Sequence, residues 1–230
     1  MKDPVSVLFE EFPYDAGKIL ASACGEAYVA IMLANGQIGV CSALNQPVET
    51  DPLLLTKPDL KRPDHRMLIV AYANAHVNYI QENLGTGDIF DQVDFGKKTN
   101  TVMVGYFPPL VEKFRKEGFP FTTFDQHKDY PELTPLSEMD GKLGESDCVI
   151  ITSTTLINAT FTNLIGKIRP GTDVLMLGPS TPLHKAFRDQ HSVTRLFGMT
   201  FRPYDFEVLE IISTGLGTQS FSKRGKKVSL

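Results

Sequence analysis

Three short stretches of this 230-residue sequence concentrate the side chains that could hold a ligand. An apolar run from Thr101 ends at Gly105 and continues as Tyr106-Phe-Pro-Pro109. Thr152-Ser-Thr-Thr-Leu-Ile-Asn158 is dense in hydroxyls, and Gly178-Pro-Ser-Thr-Pro182 again sets hydroxyls behind a glycine. The chemistry on offer is stacking and hydrogen bonding. Tyr106 and Phe107 provide flat faces, Thr154, Thr155, Asn158, Ser180 and Thr181 provide polar groups, and Gly105 and Gly178 allow close approach to the backbone. One hydroxyl in each stretch is needed to cap the helix that follows, which leaves the surplus of the first stretch to be explained.

Asp125 lies twenty residues beyond Gly105, the spacing at which a dinucleotide fold places the acid that bonds a ribose hydroxyl. An incidental loop carboxylate is the plainer alternative. Pro108 and Pro109 suit a first helical turn but remove two backbone N–H donors, so this loop is a poor copy of Gly-x-Gly-x-x-Gly. There is no Gly-x-Ser-x-Gly elbow, phosphate-loop lysine or paired-histidine site, which disfavours a standard hydrolase, kinase or metalloprotease. No residue is assigned a catalytic role.

Ligands of open parallel sheets bind outside the carboxyl ends of the strands, so these stretches must stand at strand ends. From Thr101 onward the pattern alternates, predicting strands over 101–105, 119–124, 148–152, 173–177 and 193–198 and helices over 109–117, 156–168, 183–190 and 205–214. Runs such as Val-Met-Val and Val-Ile-Ile suit a parallel sheet covered on both faces. This predicts a Rossmann-like, doubly wound α/β domain over 96–230. Residues 1–95 read as a small α+β domain, with segments 27–33 and 37–43 joined by a type I′ turn at Asn35-Gly36. A helix over 65–83 is capped by Asp64, with Leu68, Ala71, Ala75, Asn78 and Tyr79 near one face. The tail from Ser222 reads as a solvated terminus or, alternatively, an arm that contacts anions.

Apolar content of 42% and 22% charged residues describe a globular chain, and a formal charge of -4 gives no attraction to nucleic acid or an anionic membrane. The opening residues form no signal-peptide core and no apolar run reaches membrane-spanning length, so a cytoplasmic protein is expected. Cys24, Cys41 and Cys148 read as reduced core thiols. His65, His76, His127, His184 and His191 are scattered, so no metal site built from this chain alone is expected.

Taken together, Gly105-Tyr-Phe-Pro-Pro-Leu110, Ile150-Ile-Thr-Ser-Thr-Thr-Leu-Ile-Asn158 and Leu177-Gly-Pro-Ser-Thr-Pro182 resemble, in order and spacing, the putative heavy-metal chelation domain family. The resemblance extends more loosely to Ala71-Tyr-Ala-Asn-Ala75, which looks like the family's Ala-rich helix carrying an Asn. It implies an N-terminal fold like the small capping domain of enolases, followed by a Rossmann-like domain, with a pocket between them that Asn74 reaches. It also implies a role in handling heavy metals, or in making or cleaving a chelating, pterin-like, flavin-like or siderophore-like molecule. Two alternatives stay open: an S-adenosylmethionine- or nucleotide-dependent Rossmann enzyme, and a non-catalytic metallophore-binding protein. The cofactor is unknown. The expected partner is a small molecule, with a metal chelate among the candidates, and the hairpin offers an edge at which two copies could pair as a homodimer.

Overall fold

The computed structural model describes residues 1–80, 84–126 and 130–230. The first part contains α1 (Pro4–Glu11), the strands β1 (Ile19–Cys24), β2 (Tyr28–Leu33) and β3 (Ile38–Ser42), and α2 (Pro63–Ile80). There follow β4 (Gly85–Thr86), α3 (Ile89–Gln92), β5 (Thr101–Val104), α4 (Pro108–Glu117), β6 (Phe121–Phe124), α5 (Met139–Glu145) and β7 (Cys148–Thr152). The remaining elements are α6 (Phe161–Ile165), β8 (Asp173–Leu177), α7 (Ala186–His191), β9 (Arg195–Phe201), α8 (Phe206–Ser213), α9 (Thr218–Phe221) and β10 (Gly225–Ser229).

β1, β2 and β3 form a three-stranded antiparallel sheet; the other seven strands form a second sheet in the order β4-β10-β9-β8-β7-β5-β6. β6, β5, β7, β8 and β9 run parallel, and β10 and β4 close the far side antiparallel. Alternation along the parallel strands sends Met103, Ile150, Leu175 and Phe197 to one face, where they meet Leu110, Val111 and Phe114 of α4 and Phe95. Val102, Val149, Ile151, Val174 and Met176 face the other way, onto Leu143 of α5, Phe161 and Leu164 of α6 and Phe187 of α7. Helices cover both faces, as the near-continuous apolar runs require.

The small sheet lies between α2 and α8: Val29 and Ile31 pack towards α2, Ala30 and Met32 towards Val208 and Ile212. The apolar cluster on the α2 side runs without a break from Val5, Val29 and Met67 into Val102, Val149 and Phe161. Among the described residues no helix is long and apolar enough to cross a membrane.

Several expectations need correction. The β2–β3 turn is not type I′, because Gly36 (φ 83°) takes the left-handed conformation and Asn35 does not. Leu33 and Gln37 close a three-residue loop, the tight turn followed by a left-handed glycine that is the next commonest hairpin. Asp64 is no helix cap: α2 begins at Pro63, and the Asp64 carboxylate instead accepts from Thr50 Oγ1 (2.8 Å) and Arg62. That helix has no single apolar face, being buried from Asp64 through Ala75; its predicted end at Asn83 lies outside the described residues. The helix expected over 156–168 is broken into a 3-10 turn, Ser153–Leu156, and α6, since Ala159 is left-handed (φ 57°). The tail is not a solvated terminus: β10 sits inside the large sheet, with Val228 paired to Gly198 on one side and Thr86 on the other. Cys24 is exposed and only Cys41 and Cys148 are core thiols. α1, β1, β4, α3, α5 and α9 had no counterpart in the sequence reading.

Candidate functional site

The site grows from the carboxyl ends of β5 and β7. Gly105 follows β5 with φ 105°, and a Cβ there would stand 2.8 Å from Thr152 Cβ. Only glycine accepts both the backbone conformation and the close approach. Its N–H donates to Phe124 O (2.7 Å), and the next N–H, of Tyr106, donates to Asp125 Oδ2 (2.8 Å). Asp125 is thereby pinned beside the end of β5. On the other flank of β7, Gly178 (φ 137°) makes room for Ser153, whose Oγ would lie 2.7 Å from a Cβ at that position.

The order β6-β5-β7-β8-β9 is the 2-1-3-4-5 order of doubly wound sheets, and its topological switch falls between β5 and β7. The chain leaves β5 for α4 on one face, whereas α5 and α6, on either side of β7, cover the opposite face. A crevice opens where the connections diverge. After β7 the Thr152 hydroxyl caps the 3-10 turn, accepting from Thr154 N (3.3 Å) and lying 3.0 Å from the Thr154 hydroxyl. Thr155 Oγ1 donates to Thr152 O (2.7 Å), and Asn158 Oδ1 accepts from Thr160 N (3.2 Å) and Oγ1 (2.7 Å). The resulting cleft has a cavity volume of about 50 Å³, below the roughly 300–1,000 Å³ of most small-molecule sites. Its polar wall is Asp125, Gln126, Thr152, Thr154, Thr155, Asn158 and Thr160; its apolar wall is Val104, Phe124, Leu136, Met139 and Leu164.

The structure brings together five of the residues singled out in the sequence: Gly105, Asp125, Thr154, Thr155 and Asn158. Six others stand outside the cleft wall. Tyr106 stacks on Tyr130 (ring centroids 4.5 Å, 22°) and donates its hydroxyl to Glu132, whose carboxylate pushes the phenol pKa up. Phe107 is half-buried and packs against the core beside α4. Gly178 accommodates Ser153, as above. Asn74, Ser180 and Thr181 are buried in a hydrogen-bonded seam that ties α2 and β3 to the loop after β8. Asn74 Nδ2 donates to Val40 O and Ser180 O (both 3.0 Å), Ser42 N donates to Ser180 Oγ (2.8 Å), and Asn78 Nδ2 donates to Thr181 O (3.2 Å). Among the described residues the cleft is lined only from within 104–164, so it lies within the C-terminal part rather than between the two parts.

The sequence reading missed Leu136 and Met139, which reach the cleft from the connection between β6 and α5. That connection has no periodic pattern, and only the fold brings it over the strand ends.

Among the described residues no three His, Cys, Asp or Glu side chains converge as a metal site; His127 lies outside them. Burial pushes the Cys148 thiol up to about 12 and the Cys41 thiol further. Partial loss of hydration at the otherwise exposed Cys24, aided by the Asp51 charge, raises its thiol to about 11. Thiolates, the form that binds soft metals or attacks an electrophile, are therefore scarce at neutral pH.

Two solved structures share this architecture across nearly the whole chain. One is a protein of unknown function from the DUF364 family of Pyrococcus horikoshii, 19% identical, covering 98% of each chain with a TM-score of 0.78. Another, of the same family and also of unknown function, comes from Desulfitobacterium hafniense; it is 19% identical, with 99% of this chain and 96% of that one covered and a TM-score of 0.74. At such identity the likeness shows the fold. No curated protein matches. The family model described as putative heavy-metal chelation matches residues 88–230, and the chain belongs to that family.

Proposed function

We propose that this protein binds, and serves in processing, a small, planar, polar molecule that itself chelates a heavy-metal ion, held in the cleft at the ends of β5 and β7. The observation that carries the reading is the cleft's position and lining: a switch-point crevice with an apolar wall on one side and threonine hydroxyls and an asparagine amide on the other. The family's description supplies the link to heavy metals. Thr154, Thr155 and Asn158 would hydrogen-bond the ligand's polar edge, Gly105 would admit it close to the backbone, and Asp125 would face a donor group. With few convergent side-chain ligands among the described residues, the metal comes with the molecule rather than being held by the chain.

The test is to denature protein purified without a histidine tag and assay the released small molecules and metals, comparing the parent with Thr154→Leu, which fills the cleft. A single molecule carried by the parent and lost from the variant is expected, with metal following the molecule. Identical extracts from both proteins would sink the siting. A second reading has one specific observation behind it: doubly wound sheets of this strand order take nucleotide cofactors at this same point. S-adenosylmethionine or a nicotinamide cofactor at 100 times its dissociation constant would then add about 2.7 kcal/mol of stability.

A further inference from the structure

The cleft depends on a side chain that does not line it. After β7 the chain makes the 3-10 turn Ser153–Leu156 and then breaks at Ala159 (φ 57°), a left-handed conformation that is costly for alanine. In an unbroken helix Leu156 O would accept from Thr160 N. Here Thr160 N turns back to Thr155 O (3.1 Å) and Asn158 Oδ1 (3.2 Å), which opens the Leu156 carbonyl to another donor. That donor is Arg66 of α2, whose Nε (2.8 Å) and Nη2 both reach Leu156 O in a buried contact. The rest of the guanidinium is fixed as well. Nη1 and Nη2 grip the Asp3 carboxylate (2.7 and 3.0 Å), and Nη1 also donates to Leu60 O (3.3 Å). Asp3 in turn caps α1 by accepting from Val5 N. A planar fork held along both edges fixes where the carbonyl it bonds must stand. Thr154 and Thr155 precede that carbonyl in the chain, Asn158 and Thr160 follow it, and all four line the cleft.

We infer that Arg66 is a positioning residue for the cleft: from the N-terminal part it holds the Leu156 carbonyl, and with it the broken segment 153–160 in the shape that presents these four side chains. Its value to a bound molecule rests on the reading of the cleft proposed above. Without the guanidinium a buried carbonyl loses its donor, and the segment must rewind or open to water to satisfy it.

Hydrogen exchange followed by mass spectrometry tests the inference on the full chain, alongside the molecules released when each protein is denatured. Arg66→Met, Arg66→Lys and Asp3→Asn are compared with the parent and with Phe114→Leu, which thins the core on the other face of the sheet and controls for lowered global stability. The amides of 153–160 should exchange about tenfold or more faster in Arg66→Met than in the control. Arg66→Lys, which keeps the charge without the fork, should fall between. The molecule released from the parent should persist in Phe114→Leu and be lost from Arg66→Met. Asp3→Asn removes the charge opposite Arg66 and should shift the same amides by less, which gives the result if Arg66→Met does not fold. Exchange over 153–160 that matches the control in a folded variant would overturn the inference. So would faster exchange there with the released molecule undiminished, because the segment would then be held for reasons other than the cleft. An empty extract from the parent, or one unchanged by Thr154→Leu, would instead overturn the reading of the cleft, and the positioning role with it.

Discussion

His191 invites a direct perturbation, because it is fully buried and neither ring nitrogen has a protein partner among the described residues. It ends α7 against the rings of Phe161 and Phe187 (centroids 5.6 and 5.9 Å). An unpaired buried donor costs about 1–3 kcal/mol, whereas an apolar group of similar shape removes that cost. Leu is not the shape of imidazole, and about 1 kcal/mol of misfit offsets part of the gain. His191→Leu should therefore be more stable by up to about 2 kcal/mol at pH 7.5, raising Tm by up to about 8 °C for a chain of this length.

The acid side amplifies the difference. Burial holds the His191 pKa below its ordinary value, so the unfolded chain takes up the proton first. The stability tied to neutral His191 is complete above about pH 6.5 and falls as pH drops towards the folded pKa, at up to about 1.4 kcal/mol per pH unit. The leucine variant lacks that slope, while His76, also depressed by burial, titrates in both proteins. Urea denaturation of the two proteins between pH 5 and 8 measures it. If His191→Leu were less stable at pH 7.5 and the gap failed to move in its favour on acidification, the reasoning about the orphaned ring would be refuted.

Arg66 is buried and grips the Asp3 carboxylate through two nitrogens (2.7 and 3.0 Å) while donating to Leu156 O. Arg66→Met should cost about 2–4 kcal/mol by urea denaturation, towards the low end because Asp3 is partly exposed. Burial alone would raise the Asp3 carboxyl, but the Arg66 hydrogen bond and charge hold it below the usual range. Stability from this pair is present above about pH 4 and lost as Asp3 takes up its proton at lower pH, a loss that the Arg66→Met protein should not show. Gly105→Ala, strained by its positive φ and by Thr152, should lower stability by about 1–3 kcal/mol and reduce ligand retention, with Gly118→Ala, which meets no neighbouring atom, as the control for backbone strain alone. Val228→Asp puts a charge at a buried position paired on both sides and should cost at least about 3 kcal/mol, read as a collapsed urea midpoint.

The parallel sheet was legible because its strands are buried on both faces and so spell continuous apolar runs, and Gly105, Asp125, Thr154, Thr155 and Asn158 were expected together because the strand ends of such a sheet share one edge, where the structure gathers them around one cleft. What escaped notice was set by long-range contact. Asn74 and Ser180 look like ligand donors in the sequence, yet 106 residues apart they bond one another, a use no local pattern announces. Tyr106 has the face for a bound ring, but Tyr130, from the next connection, lies against it. The lysine-rich β10 passes from exposed Lys226 and Lys227 to buried Val228 and Ser229, a pattern too short and polar to separate from a loose end. α2 hides its helical pattern because Asn74 and Asn78 are interior residues whose amides serve backbone carbonyls of other elements.

β10 has a consequence for the order in which the molecule assembles. β4 joins the large sheet through β10 alone, so the pairing of Thr86 with Val228 must close a loop of well over a hundred residues. The entropy of that closure makes it a slow, late event. During synthesis the outer edge of β9 stays open until residues 225–229 have emerged, after every other strand is already available. A nascent chain would therefore dwell with an unpaired β9 edge, the kind of surface that recruits chaperones or a neighbouring copy. Sealing it is the work of five residues that carry two exposed lysines, which keep the finished strand soluble on its outward side.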